Sequence, residues 1–597
     1  MGLEAALLVS PFLVPAARLS SLQSPKNGCR PSSSSSKSAR CLAIVHDPPS
    51  SVTRRSANYS PSVWDYEFVQ SFSSDYTDEK QVRQLEVLKN EVKGLINREI
   101  TDPLDKLELI DAVQRLGLNY HFEMEIKKAL ETVNSKTDDD YWLNHGLYST
   151  ALRFRILRQH GYNTPQGLFD RFKDKNDNFN ASLCEDVKGL LSLYEASFFG
   201  LQGETIMDEA KAFTTTHLKD LKVPITASLD RKVAHSLDMP LHWRLNRVEA
   251  RWFIDTYEQE LNMNPTLLEL AKLDYNIVQS THRKEVSNLA RWWVNMGLNK
   301  MTFVRDRLTE HFIWSSGMVF EPQFGAFREM GTKIICLVTT IDDLYDVYGF
   351  LEELELFTDF VDRWDITGID QLPSAIKTCL LAMYNTSNEI GYWTIKERGF
   401  NVIPYLRKMW ADICKTLLRE AKWYHKGHKP TLEEYLNNAV VSIGAPLVLF
   451  CTYFLTAQKI TKEALVYVDK LPSIVRCSSM ILRLTNDLKT SSDELARGDN
   501  LKSTQCYMNE TGASEEVARE HIMNMIDETW KTMNKQMFDH YSFIEEPFLS
   551  ANPNLSRTAH SFYQYGDGHG NPNYSTKDTI TALLVQPVPI NQGPSNR

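Results

Sequence analysis

The stretch KIICLVTTIDDLYDVYG, residues 333–349, narrows the possible folds of this chain more than any other feature. Ile334, Ile335, Cys336, Leu337 and Val338 form a run that avoids water, and it leads within a few residues to Asp342, Asp343 and Asp346. A carboxylate on so apolar a segment is costly to bury unless positive charge sits beside it. On a helix, Asp342 and Asp346 are i and i+4 and share a face, with Asp343 one position around. Bare, they repel and weaken that helix; a bound cation reverses the sign. The alternative is an exposed helix end whose acids are simply solvated.

The rest of the chain is helical in pattern. LYSTALRFRILRQHGY (147–162) carries Leu147, Ala151, Phe154, Leu157 and Tyr162 as an amphipathic stripe, and LHWRLNRVEARWFIDTYEQ (241–259) repeats the pattern with Leu245, Val248, Trp252 and Tyr257. Alternating strand patterns with hairpin signals are scarce, so an all-α protein is expected. A chain of 597 residues exceeds one hydrophobic core, and a boundary is expected near 260–266, where LNMNP precedes a helix behind a Thr cap. No repeat of fixed period suggests a solenoid. The acidic cluster TDDDYW (137–142) is expected in a solvated loop, and YGDGHGNPNYS (565–575) has loop chemistry.

Charge and cysteine usage exclude several functions. A formal net charge of −10 gives no basic footprint for nucleic acid. Nine scattered cysteines, never spaced as CxxC, fit free thiols in a reducing compartment and argue against a zinc site. No run is expected to reach the ~20 apolar residues of a membrane span. Residues 1–53 stand apart, with 12 Ser, five basic residues (Arg18, Lys26, Arg30, Lys37, Arg40) and only Glu4 and Asp47 as acids. A Ser-rich, basic, acid-poor leader reads as an organelle transit peptide.

A second segment supplies the partner for the first. RLTNDLKTSSDE (483–494) places Asn486, Thr490 and Glu494 at i, i+4 and i+8, one stripe about 12 Å long on a helix. Oxygen-only groups suit a hard cation, Mg²⁺ or Mn²⁺. Two incomplete oxygen sets fit Mg²⁺ ions whose other ligands are water and substrate phosphate. Arg305 and Arg307 upstream, Arg483 one turn before Asn486 and Lys502 downstream supply cations for that phosphate. Together they describe a diphosphate clamp.

In order, these motifs resemble the plant class I terpene synthases. DDLYD matches DDxxD; Asn486 through Glu494 matches (N/D)DxxS/TxxxE; Arg54, Arg55, eight residues and Trp64 match the RRx8W signature of the monoterpene branch; and RDR at 305–307 lies at the family's distance before Asp342. Similar blocks include LRFRILRQHGY, LLSLYEASF (190–198), VEARWF (248–253), FEPQF (320–324) and TQCYM (504–508), so the resemblance runs from 54 nearly to the C-terminus.

The resemblance implies an N-terminal helical domain of relict barrel type (54–265) and a C-terminal catalytic bundle (266–597), after a plastid transit peptide (1–53). DxDD is lacking in the N-terminal half, so protonation-initiated cyclisation is not expected. Asp342, Asp343, Asp346, Asn486, Thr490 and Glu494 are expected to bind three Mg²⁺ ions, with Mn²⁺ as a substitute. Arg305, Arg307, Arg483 and Lys502 would hold the diphosphate of geranyl diphosphate. Concentrated positive charge makes diphosphate a leaving group, and the carbocation left behind must be kept from water among aromatic faces. Trp314 and Tyr563 stand where the family puts such aromatics, Arg54 and Arg55 would fold over the closed site, and the loop 565–570 would share that cover. Departing diphosphate can accept the final proton.

Ile335 and Leu482 stand where isoprene-forming relatives carry Phe, which leaves room for a longer chain, and Ile335 argues against the water-assisted ether formation of cineole formers. Lys489 replaces a common Gly, and Tyr565 replaces the His common before GDGHG, which would alter how the last cation is quenched. A monomer is expected. The rival readings are a sesquiterpene synthase acting on farnesyl diphosphate, a chain-elongating prenyltransferase, which would need two Asp-rich motifs, and an inactive helical scaffold.

Overall fold

A computed structural model describes residues 54–590 apart from 73–75, 77, 100–101, 137–138, 499 and 539–543. The expected transit peptide, 1–53, lies outside the described residues. Among those residues helix follows helix, and the sole strand-like feature is an isolated bridge between Lys173 and Phe179. One continuous hydrophobic cluster runs from Val69 to Val588, with two smaller ones in the N-terminal half.

Helix starts follow side-chain capping. Asp65, Asp78 and Asp102 each accept a backbone N–H of the first turn that would otherwise go unpaired. At the expected boundary the cap is Asn264, not Thr266: its side chain accepts from Leu267 N, and Pro265 occupies the first helical position, where its missing N–H costs nothing. The helix Pro265–Asn295 packs against both Glu79–Asn97 and Gly325–Asp343, so it contacts elements of either half.

Gly146–Gln159 is less amphipathic than its sequence suggests. Leu147, Ala151, Phe154 and Leu157 are buried, but so are Arg153, Arg155 and Arg158. Val187–Ser197 covers its other side, and Arg158 is retained inside because Glu204 takes both its terminal nitrogens at 2.5 and 2.6 Å while Thr164 and Phe199 offer carbonyls. Of the acidic stretch 137–142, residues 137 and 138 lie outside the described residues, and the rest opens a short helix, Asp139–Asn144, with Trp142 buried, rather than a loop.

In the C-terminal half, Gly325–Asp343 packs against Leu308–Met318, Ser374–Arg398 and Ala445–Thr456. Ser473–Arg497 packs against the other side of Ala445–Thr456 and against Phe548–Tyr563. The two polar stripes are thereby spaced by one intervening helix. Contrary to expectation, one stretch, Leu432–Thr456, is long and apolar enough to cross a membrane, but 89% of that window is buried inside the protein. It is also two helices, broken at Gly444, where φ is +77° and an added Cβ would lie 2.5 Å from Val338 Cγ1. Only glycine meets both conditions.

Candidate active site

The two stripes and their cations converge on one cavity of about 470 Å³. Asp342, Asp346, Asn486, Thr490 and Glu494 line it, as do Arg305, Arg483 and Lys502. Trp314 and Tyr563 form part of the wall, as do Ile335 and Leu482. Of the residues expected to hold metal or diphosphate or to cover the site, Asp343, Arg307, Arg54 and Arg55 do not line it.

The helix expected over 333–348 ends at Asp343 and continues as a wider π turn, Leu344–Tyr348, closed by Gly349 N donating to Leu344 O at 2.8 Å. This turn buries Tyr345, whose hydroxyl meets Thr358 Oγ1 at 2.7 Å, while Asp342 and Asp346 both still reach the cavity. Asp343 is fully buried and holds Arg305: it accepts from Arg305 N at 2.8 Å and pairs with its Nε at 2.8 Å. Arg305 Nη2 reaches Asp342 at 2.6 Å. Burial pushes the Asp343 carboxyl up, opposed by Arg305.

The second wall repeats this plan one residue after Asn486. Asp487, which sequence reasoning passed over, is fully buried, pairs with Arg483 Nη2 at 2.6 Å, and accepts from Tyr435 Oη at 2.9 Å and Ser503 N at 3.1 Å. Arg483 also donates to Asn486 Oδ1, and Tyr563 hydrogen-bonds Asn486. Glu494 lies 3.7 Å from Lys502 Nζ. Burial is the largest single influence on Lys502 and pulls it down, yet Glu494 and Asp346 carry it above the ordinary lysine value. Thr490 Oγ1 is buried without a hydrogen-bond partner. A buried, unpaired hydroxyl between Asn486 and Glu494 fits a hard cation and is otherwise costly.

Arg54 is fixed by Glu353, with both terminal nitrogens 2.7 Å from its carboxylate, and stacks 4.4 Å over Tyr348. Arg55 donates to Asp346 O at 3.2 Å and lies 5.0 Å over Tyr424. They fasten the segment after them, and it is Ala57, Asn58, Tyr59 and Ser60 that reach the cavity. Tyr59 hydrogen-bonds Asp343, and Arg305 sits 5.1 Å over its ring. From the other side Asp567, His569 and Gly570 close the wall; Asp567 turns that loop by accepting from Gly570 N at 2.7 Å and His569 N at 3.2 Å. The run Gly-Asp-Gly-His-Gly was the one signal in the sequence for these residues.

Trp314 stacks on Phe562 with centroids 4.9 Å apart and meets Tyr563 at 6.2 Å. Tyr565, expected to affect the final cation, is instead 56% exposed and bonds Asp238, away from the cavity. The arrangement joins a polar end, rich in oxygen ligands and guanidinium groups, to an apolar and aromatic end. It can bind a metal-bound polyphosphate at one end and an uncharged chain at the other.

A family model for the terpene synthase N-terminal domain matches residues 63–237, and one for the terpene synthase family, metal binding domain, matches residues 294–532. The chain is 51% identical over 570 residues to the beta-bisabolene synthase of Santalum austrocaledonicum, covering 94% of this chain and 98% of that one. It is 51% identical over 544 residues, 91% of either chain, to the chloroplastic myrcene synthase of Quercus ilex. Among solved structures it is similar to isoprene synthase from grey poplar leaves (Populus x canescens) in complex with three Mg²⁺ ions and dimethylallyl-S-thiolodiphosphate (45% identity, TM-score 0.81, covering 88% of this chain and 99% of that one). It is also similar to limonene synthase with 2-fluorolinalyl diphosphate (42% identity, TM-score 0.86, covering 90% and 100%).

Proposed function

The chain belongs to the terpene synthase family, lyases that release diphosphate from prenyl diphosphates, and from that premise we propose that it is a monoterpene synthase acting on geranyl diphosphate. The observation that carries the reading is the convergence of both oxygen stripes, Arg305, Arg483 and Lys502 on one cavity that continues into Trp314, Tyr563, Ile335 and Leu482. Asp342, Asp346, Asn486, Thr490 and Glu494 would hold divalent metal, three Mg²⁺ ions by family resemblance. When bound, these ions supply the positive charge that makes diphosphate a stable leaving group. Arg305, Arg483 and Lys502 orient the diphosphate as the allylic C–O bond breaks and the electron pair leaves with oxygen. The prenyl cation is left facing Trp314 and Tyr563, whose ring faces favour positive charge. Segments 57–60 and 567–570 exclude water during that interval. A proton lost to the diphosphate ends the reaction in an olefin; capture of water ends it in an alcohol.

Ile335 and Leu482, smaller than Phe, leave cavity for a chain longer than five carbons. The RRx8W segment and the Ser-rich leader favour the C10 substrate and a plastid address, as named for the relative from Quercus ilex. We place the domain boundary at 265 and the active form as a monomer. The similarity to a bisabolene synthase favours a second reading, a C15 substrate in the same cavity. Gas chromatography of volatiles from the chain beginning at Arg54, given each diphosphate with and without Mg²⁺, separates the two. Metal-dependent C10 products are expected; products from farnesyl diphosphate alone would overturn the substrate assignment, and none from either would overturn the activity.

A further inference from the structure

The two arginines of the RDR segment have different surroundings. Arg305 lines the cavity and pairs with its acids. Arg307 does not line the cavity, is fully buried, and spends its guanidinium on protein oxygens. Its Nε donates to His569 O at 3.2 Å, Nη1 to Asp306 O at 2.8 Å, and Nη2 to Gly570 O at 2.8 Å, Ser60 O at 3.0 Å and Ser60 Oγ at 3.2 Å. We propose that Arg307 is a positioning residue that staples the N-terminal strap to the C-terminal loop, and that it does not hold the substrate diphosphate.

A guanidinium has five N–H donors in a planar fork, and here each nitrogen is directed at protein oxygen. Four of the five acceptors are backbone carbonyls, so they are set by chain path and not by side-chain choice at 60, 569 or 570. Gly570 O is buried and costly to leave without a donor, the carbonyls of Ser60 and His569 are part-buried, and lifting either segment breaks bonds to Arg307. The other strap contact of this segment, Arg305 over Tyr59, reaches one side only. Arg307 alone among these joins Ser60, 247 residues before it, to Gly570, 263 residues after it. The strap contributes Tyr59 to the cavity and the loop contributes Asp567 and His569, so the two covers open and close as one unit.

The effect on products rests on the monoterpene synthase reading; the effect on opening does not. Hydrogen–deuterium exchange of the metal-free chain tests the opening. In the wild type, amides of 57–60 and 566–571 are expected to share one opening rate within about threefold. Arg307→Lys, which keeps the charge but loses the fork, is expected to raise exchange in both segments together by about tenfold and leave Gly325–Asp343 unchanged. With Mg²⁺ added, the inhibition constant of inorganic diphosphate should move less than about threefold in Arg307→Lys and more than about tenfold in Arg305→Lys, while alcohol products rise in Arg307→Lys. The staple is overturned if diphosphate inhibition weakens equally in both variants. It is also overturned if the two wild-type segments exchange more than about tenfold apart, a result available even where every Arg307 variant misfolds. Absence of turnover with any prenyl diphosphate would sink the proposed activity and leave the exchange result standing.

Discussion

On the Gly325–Asp343 wall the cavity-facing Asp342 is followed by a buried acid, Asp343, that holds Arg305; on the Ser473–Arg497 wall Asn486 is followed by a buried acid, Asp487, that holds Arg483. In both, one residue faces the cavity and the next, turned inward by about 100° on the helix, fixes the arginine that lines the cavity and that we propose meets the phosphate. The charges differ. The first wall carries three acids, Asp342, Asp343 and Asp346, of which Arg305 pairs with the first two, whereas the second sets Asp487 and Glu494 against Arg483 and Lys502. The first wall is therefore the stronger attractor of cations, and the second, with Lys502 kept charged by its neighbours, the stronger holder of an anion. A site that divides these roles can bind metal and diphosphate together.

The comparison is broken most directly at the paired residues. Asp342→Asn is expected to lower kcat by about a thousandfold or more with a melting temperature within about 2 °C of the wild type, read from product formation and circular dichroism. Asp487→Asn should do the reverse in emphasis: leaving Arg483 buried with one partner fewer costs about 3 kcal/mol and lowers the melting temperature by several degrees. Equal melting temperatures for the two variants would mean that the cavity-facing and buried members do not divide as described. Thr490→Val sharpens the second wall. It removes an unpaired hydroxyl at constant volume, so stability should hold or rise while the Mg²⁺ concentration for half activity increases about tenfold.

The smallest effect lies beside the first wall, at Glu310, whose carboxyl burial pushes up to about 7. Between the ordinary glutamate value and about 7 the folded chain holds a proton that the unfolded chain has lost, so stability falls as pH rises through that window. Glu310→Gln removes the penalty and is expected to raise the melting temperature by about 2 °C at pH 8 and by less than about 1 °C at pH 5. A gain independent of pH would mean that Glu310 carries no such penalty.

Much of this site could be read from the chain because helices are periodic. Asn486, Thr490 and Glu494 recur every fourth residue, and their shared face follows from the helix itself. The same arithmetic was only half right for DDLYD, since a π turn intervenes between Asp342 and Asp346. It also missed Asp487, whose use depends on Tyr435 and Ser503 from other elements. For the strap and the loop it gave almost nothing: residues 57–60 and 567–570 have no helical period, and what they face is decided elsewhere.

The sequence by itself determined the helical class, the two oxygen stripes and the supply of guanidinium groups, because each is a matter of residue type at local spacing; the aromatic wall was implied by the family resemblance. Only the tertiary structure decided which arginine faces the cavity and which is turned away from it. Arg305 and Arg307 are two positions apart and chemically identical. What separates them is the company each finds, acids from Gly325–Asp343 for one and carbonyls from both ends of the chain for the other. Contacts over such separations leave no local signal, since they are fixed by how the bundle closes and not by the residues on either side.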